Sequence, residues 1–412
     1  MKNNSIFGIK NNSSDVLLYI ALALFSIDLM LQGISIIIIF GIWYILSYKV
    51  NASIGIGIII AFCISFSISF LLFCEWDLSI VKNVMALPIA YMLGQRINNL
   101  TENKMAVCIL LCAFFMAFHA MLNMGYNFSQ FGILAMGERA SYDIWTSEIS
   151  SATGQASKLT PFLACVFYLV FYNKNKKLKY FSGILFLFCM LFNLELGGRS
   201  AMLLAILGLV SSLFLGIIKQ KNTKSSYRVI VFFIVAVFAL FFAYEANVFG
   251  IQELFENSSF NQRFNSEGGQ DITEDDRMRR KIFYIEHLFD YPFGGQNLCY
   301  DLNVGHAHDL WLDAFDMAGL IPLILLVIYT FSSLKRAFKY YSSSWSNPYI
   351  STLILTLFII LNAQFFLEPI IEGSPKLLIL YCLIDGMLTQ IFYNQNKNKY
   401  ERQFLKTHYF RQ

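Results

Sequence analysis

Apolar residues run along this chain in blocks of roughly twenty, parted by short polar punctuation, over most of its length. A block of that length is what an α-helix needs to cross a bilayer's hydrocarbon core. Blocks fall near 15–32, 34–48, 54–73, 78–94, 104–122, 159–173, 180–196, 200–218, 229–248, 319–334, 349–368 and 375–393. They predict an all-α polytopic integral membrane protein of about twelve transmembrane helices, with 1–412 as a single membrane domain. The first two blocks are separated only by Gln32-Gly33 and also read as one long element. Two polar stretches break the pattern. Residues 123–158 mix aromatic and polar side chains around Arg139, and residues 249–318 predict a large helical periplasmic loop. The first part of that loop, ELFENSSFNQRFNSEGGQDITEDD, predicts a mobile segment. An ordered part begins at Arg277.

Composition agrees with the pattern. The chain is 57% hydrophobic and 14% charged, against about 25% charged in soluble domains. The 41 Phe and 22 Tyr suit lipid-facing and interfacial positions. If the N-terminus is cytoplasmic, most of the 31 lysines and arginines gather in cytoplasmic segments, notably Lys174 to Lys179, Lys219 to Arg228, and the tail from Lys397 to Arg411. The positive-inside rule then predicts that both termini are cytoplasmic. The first apolar run lacks a small-residue cleavage site and reads as an anchor. The small net charge of +4 calls for no nucleic-acid partner. Cys63, Cys108, Cys112, Cys165, Cys189 and Cys382 lie in apolar runs and behave as small hydrophobes. Cys74 and Cys299 fall in or beside loops, where a bridge between them stays open. No CxxC or HExxH spacing occurs, so neither metal nor cofactor is expected. No internal repeat shows, which weighs against an inverted-repeat transporter.

The candidate chemistry gathers between Arg277 and Gly319. Arg277, Arg279, Arg280 and Lys281 crowd five positions. On a helix over 277–290, Arg277, Arg280, Lys281 and Tyr284 share one side, and Met278, Ile282, Ile285 and Phe289 share the next. The apolar stripe is expected to dock on the membrane helices, leaving the cations to face a ligand. Guanidinium groups at a membrane surface suit phosphate oxygens; lipid headgroups or neighbouring carboxylates are the plainer use. The turn Tyr291-Pro292-Phe293-Gly294-Gly295 ends this helix. His308 is expected to open the next one and to exchange a proton near neutral pH, with His306 in the loop before it. Asp309, Asp313 and Asp316 read as a solvated face. Arg199, between two spans, can snorkel or hold a second phosphate oxygen. Glu368 and Glu372 are candidate acid or base groups.

Three blocks, in order, resemble the O-antigen polymerase and O-antigen ligase superfamily, the Wzy-like and WaaL-like membrane glycosyltransferases. They are Gly198-Arg199-Ser200-Ala201-Met202-Leu203-Leu204; Arg277 ahead of the Pro292-Phe293-Gly294 turn; and His308-Asp309-Leu310-Trp311-Leu312 leading to Gly319-Leu320-Ile321-Pro322. Together they cover 190–335. The family usually carries Asn after the histidine, where this chain has Asp309. The resemblance implies about twelve helices and metal-independent, inverting transfer of a sugar chain from undecaprenyl pyrophosphate to an acceptor hydroxyl in the bacterial inner membrane. The partners it implies are an undecaprenyl-pyrophosphate-linked oligosaccharide, membrane lipid and a polysaccharide chain-length regulator. Carried over by position, Arg199 and Arg277 grip the pyrophosphate and His308 deprotonates or orients the acceptor. The helical-wheel argument adds Arg280. A polymerase is favoured. A ligase delivering the polymer to lipid A core shares the donor and site. A lipid-linked sugar flippase would place charge at mid-membrane, where only Asp28, Lys82 and Asp385 fall.

Overall fold

The computed structural model describes residues 13–46, 52–74, 77–97, 100–131, 140–173, 175–220, 231, 238, 242–258, 261 and 276–409. Fourteen α-helices are used below: α1 (Ser13–Ile27), α2 (Gly33–Leu46), α3 (Ile54–Phe73), α4 (Leu78–Arg96), α5 (Glu102–Phe131), α6 (Ala152–Tyr172), α7 (Lys176–Leu196), α8 (Arg199–Gln220), α9 (Ile251–Glu256), α10 (Asp276–Glu286), α11 (Leu310–Ala318), α12 (Leu320–Ser342), α13 (Pro348–Leu367) and α14 (Pro375–Tyr409). Eight of them, α3, α5 to α8 and α12 to α14, are long and apolar enough to cross a membrane. The protein is an all-α polytopic membrane protein. Its outward face is apolar, with Leu187, Ile206, Phe214 and Phe331 all exposed.

The predicted count of twelve is not what the described residues give. α1 and α2 are apolar but shorter. They are two elements: Asp28, Met30 and Leu31 take positive φ between them, and no straight helix passes through that turn. α4 carries Pro88 and is not among the eight. The block at 229–248 lies mostly outside the described residues, as does the segment predicted to be mobile, whose start is the short helix α9. The 104–122 block becomes the 30-residue α5. A small antiparallel hairpin, Ala140–Tyr142 with Ile149–Ser151, is an addition the apolar pattern did not show.

Local chemistry sets the boundaries. Ser53, Asp77 and Asn347 cap α3, α4 and α13 by accepting from backbone amides two or three residues on, and Pro348 follows its cap at a first-turn position. Small residues let helices touch. A Cβ at Gly94 would meet Leu383 O at 2.1 Å, and one at Gly386 would meet Tyr91 O at 2.1 Å, so α4 and α14 pack backbone to backbone.

Two polar networks tie the bundle. In one, Arg336 Nε donates to Asp385 Oδ1 at 2.7 Å, and Ser333 Oγ donates to Asp385 Oδ2 at 2.7 Å. In the other, Lys376 pairs with Asp28. Nearby, Asp143 beside the hairpin takes His119 Nε2 at 2.9 Å, Lys158 Nζ at 3.6 Å and Asn123 Nδ2 at 3.1 Å.

Candidate functional site

The site is built where α10, α11, the α7–α8 corner and the α13–α14 connection meet. α10 is oriented opposite to expectation. Its apolar stripe faces outward, with Ile282 and Ile285 exposed and Phe289 exposed just past the end of the helix, and its buried face is Lys281 and Tyr284. The reason lies in the neighbour. The C-terminus of α13 presents carbonyls with no partner inside their own helix, at the negative end of the helix dipole. Lys281 Nζ donates to Phe366 O and lies 3.6 Å from the Phe366 ring centre. Arg277 Nη1 donates to Leu367 O at 3.2 Å and lies 3.6 Å from Glu368 Oε1. A cationic face therefore docks here, and Lys281 is a structural tether.

Arg199 begins α8 after a tight corner. Gly197 takes φ 64° to end α7, and Asn193 Nδ2 donates to Gly198 O at 2.8 Å. This corner places Arg199 in one cleft with Arg277, Glu368 and Thr153. The two arginines are distant in sequence and the fold brings them together. Glu368 is only 2% exposed.

The Pro292-Phe293-Gly294-Gly295 turn seats the loop on the α11–α12 junction. Leu320 N donates to Pro292 O at 2.9 Å, and Gln296 N to Asp316 O at 2.7 Å. Gly294 and Gly319 both have positive φ. A Cβ at Gly319 would lie 2.2 Å from Pro292 O, and one at Gly294 would lie 2.5 Å from Ala318 N. The close approach needs glycine on both sides. After a wide helical turn at Asn297–Asp301, the chain is pinned again. Val304 N donates to Leu298 O at 3.3 Å, Gly305 N to Cys299 O at 3.2 Å, and Tyr284 Oη to Gly305 O at 3.1 Å.

His308 does not open α11. It precedes the helix with φ 53°, and Asp309 is the cap, accepting from Trp311 N at 3.0 Å and Leu312 N at 3.2 Å. Asp309 also faces Lys281 at 3.5 Å. The expected solvated face of aspartates is buried: Asp309 and Asp313 are 3% exposed and Asp316 is 6%. Asp316 accepts from Leu298 N at 3.2 Å and Tyr284 Oη at 3.3 Å. Burial pushes its carboxyl up to about 6. Burial also raises Asp309 against the opposing pull of Lys281, and raises Asp313 well above the usual range, with Asp309 adding to it. Burial lowers Lys281.

His308 is held down to about 4, first by burial and then by Arg277, Arg280, His306 and Lys281. Burial and the cations around it both favour its neutral form. Among the described residues its buried Nδ1 has no hydrogen-bond partner. Arg280 packs against Gly305, where a Cβ would meet Nη1 at 2.9 Å, and with Arg279 and Phe283 it lines an open groove. His306 faces Glu372 at 3.6 Å. Arg139 lies outside the described residues. Cys74 and Cys299 are free thiols: Cys74 Sγ donates to Met317 O at 3.1 Å, and Cys299 Sγ lies 3.6 Å from His306 Nδ1.

The structure thus brings Arg199 and Arg277 into one cleft at the end of α13, with Asp309 tied to α10 through Lys281; Arg280 lines a separate groove, and His306 faces Glu372. It adds Gln296, whose Nε2 donates to Glu372 Oε1 at 3.2 Å, and it assigns Tyr284 and Asp316 to supporting the loop. No run or spacing marked Gln296, because its position depends on the turn before it. No protein-family model matches the chain, and no curated protein matches it.

Proposed function

We propose that the chain is a polysaccharide polymerase. It transfers a glycan chain from undecaprenyl pyrophosphate onto an undecaprenyl-linked repeat unit, at the periplasmic face of the bacterial inner membrane. The observation that carries the reading is the pairing of Arg199 and Arg277 in one cleft, with His308 near enough to Arg277 and Arg280 that they, after burial, disfavour its charged form.

In this reading, Arg199 and Arg277 bind the donor's diphosphate, and Arg280 extends the field. Fixed cations in a partly buried site stabilise the charge that grows on the diphosphate as it leaves. The acceptor hydroxyl attacks the anomeric carbon from the opposite face, so the linkage inverts. Of the cations that add to burial in disfavouring a charged His308, Arg277 and Arg280 are also ones that bind the donor. Once the diphosphate offsets their charge, the imidazole holds a proton more readily, so donor binding prepares His308 to deprotonate or orient the acceptor. The three motifs that resemble the O-antigen polymerase and ligase superfamily fall on this site and on the glycine contact that seats it, which supports the reading further.

The surface polysaccharide of a deletion strain tests it. A single repeat unit on the lipid core is expected. Bare core with accumulated lipid-linked polymer would instead identify a ligase, and unaltered polysaccharide would rule out both. Sidedness is tested with an impermeant maleimide on cysteines placed at Asn265 and Asn222. Labelling from outside at 265 but not at 222 is expected, and the reverse pattern would place the site on the cytoplasmic face.

A further inference from the structure

We propose that His306, Glu372 and Tyr300 form an acceptor-sugar subsite, in which His306 takes the proton of the attacking hydroxyl. This inference rests on the glycosyl-transfer reading above and assigns a base within it.

His306 lies on a stretch whose backbone is fixed on both flanks, by the Val304, Gly305 and Tyr284 hydrogen bonds before it and the Asp309 cap after it. Its Nδ1 faces Glu372 Oε2 at 3.6 Å, and the other oxygen of that carboxylate is held by Gln296. A carboxylate anchored at one oxygen and facing an imidazole nitrogen with the other orients the ring and stabilises the imidazolium that forms. Nε2 is then the nitrogen turned to the substrate. The His306 side chain is 36% exposed, which suits a group that meets an incoming sugar. His308, by contrast, keeps its Nδ1 buried and, among the described residues, without a hydrogen-bond partner.

Tyr300 completes the subsite. It is 61% exposed, and its ring stands edge-on to the imidazole at 6.2 Å and 82°. A solvent-open aromatic face beside a polar group suits a sugar ring, which offers C–H groups on one face and hydroxyls at its rim. Among the described residues, the other charged and titratable groups near His306 are Cys299, Arg280, His308, Asp316 and, beyond Glu372, Asp77 at the start of α4.

The step balances without a further reactant. The acceptor oxygen bonds to the anomeric carbon. The bond from that carbon to the diphosphate oxygen breaks, and its electron pair leaves with the diphosphate held by Arg199 and Arg277. The hydroxyl proton passes to His306 Nε2. His308 keeps the orienting half of its role.

The test uses the full-length protein in proteoliposomes supplied with purified lipid-linked repeat unit. His306→Ala is expected to lower kcat by about 10²–10⁴-fold, with the donor KM unchanged, and added imidazole should restore part of the rate. Glu372→Gln should lower kcat by less. Tyr300→Ala should raise the acceptor KM and leave kcat near wild type. Detergent melting points separate these effects from misfolding. Polymerisation by wild type together with a His306→Ala rate within about threefold would overturn the assignment. So would a rate loss that imidazole does not rescue and that tracks a lowered melting point, since His306 would then be only a tether. Failure of wild type itself to extend the glycan would overturn the glycosyl-transfer reading first.

Discussion

Two buried ionic clusters in this protein have opposite character. At Arg336 and Asp385 one cation meets one carboxylate in a forked pair, with Ser333 completing the set. Its charges close on themselves. Around α10, Arg277, Arg280 and Lys281 crowd a histidine, three buried aspartates sit close by, and Nδ1 of His308 and Oδ2 of Asp313 lack hydrogen-bond partners among the described residues. A closed set holds helices together. An open one stores electrostatic strain that a ligand of matching charge relieves. The lesson is that burial alone does not mark function in a membrane bundle; the balance of the buried charges does.

Mutation can break that contrast. Arg277→Ala and His308→Ala are each expected to abolish long-chain polysaccharide, a rate loss of about 10²–10⁴-fold, at normal protein level in the membrane. Normal ladders from both variants would remove this site from consideration. Asp385→Ala should do the reverse and act on folding. It leaves the partly buried Arg336 without its carboxylate, at a cost of up to about 3 kcal/mol, seen as depleted protein on a membrane immunoblot. Full abundance of that variant would mean the pair is not the staple described here. Arg280→Ala is expected to shorten chains less than Arg277→Ala, because Arg280 packs at the rim against Gly305; equal loss would move the donor toward α10's open groove.

The smallest effect is one of pH. The folded value of His308 lies near 4, below the ordinary 6.5, so between those values the unfolded chain binds more protons there. That stability is present above 6.5 and is lost as pH falls toward 4. Asp316 works the other way, since its folded value is raised from 3.8 to about 6 and it favours the folded state as pH falls through that window. Relative to wild type, the melting point of His308→Gln should therefore drop less between pH 7 and 4. An equal drop would show that His308 is solvated.

Much of this architecture was legible in the pattern of apolar blocks, because crossing a bilayer demands length and hydrophobicity that a sequence cannot hide. The motifs single out Arg199, Arg277 and His308, and the fold brings the two arginines into one cleft. The orientation of α10 was not legible. The amphipathic rule assumes that the buried face is apolar, and here the neighbour is a helix terminus that offers bare carbonyls. Asp309 carries a readable cap signal, an aspartate just before an apolar run, which leaves His308 in the loop before the helix. Asp313 and Asp316 gave no sign of burial, since their shelter comes from the loop that folds over them. His119 sits in an apolar block, and only the hairpin carrying Asp143 explains it.

One further consequence concerns the backbone at position 308. A φ of 53° is a conformation that side chains other than glycine and asparagine adopt reluctantly, at about 1–3 kcal/mol. Glycine there should raise the melting temperature while deleting the imidazole. Variants selected for heat tolerance alone would drift toward that glycine, and only selection for the chemistry would return the histidine.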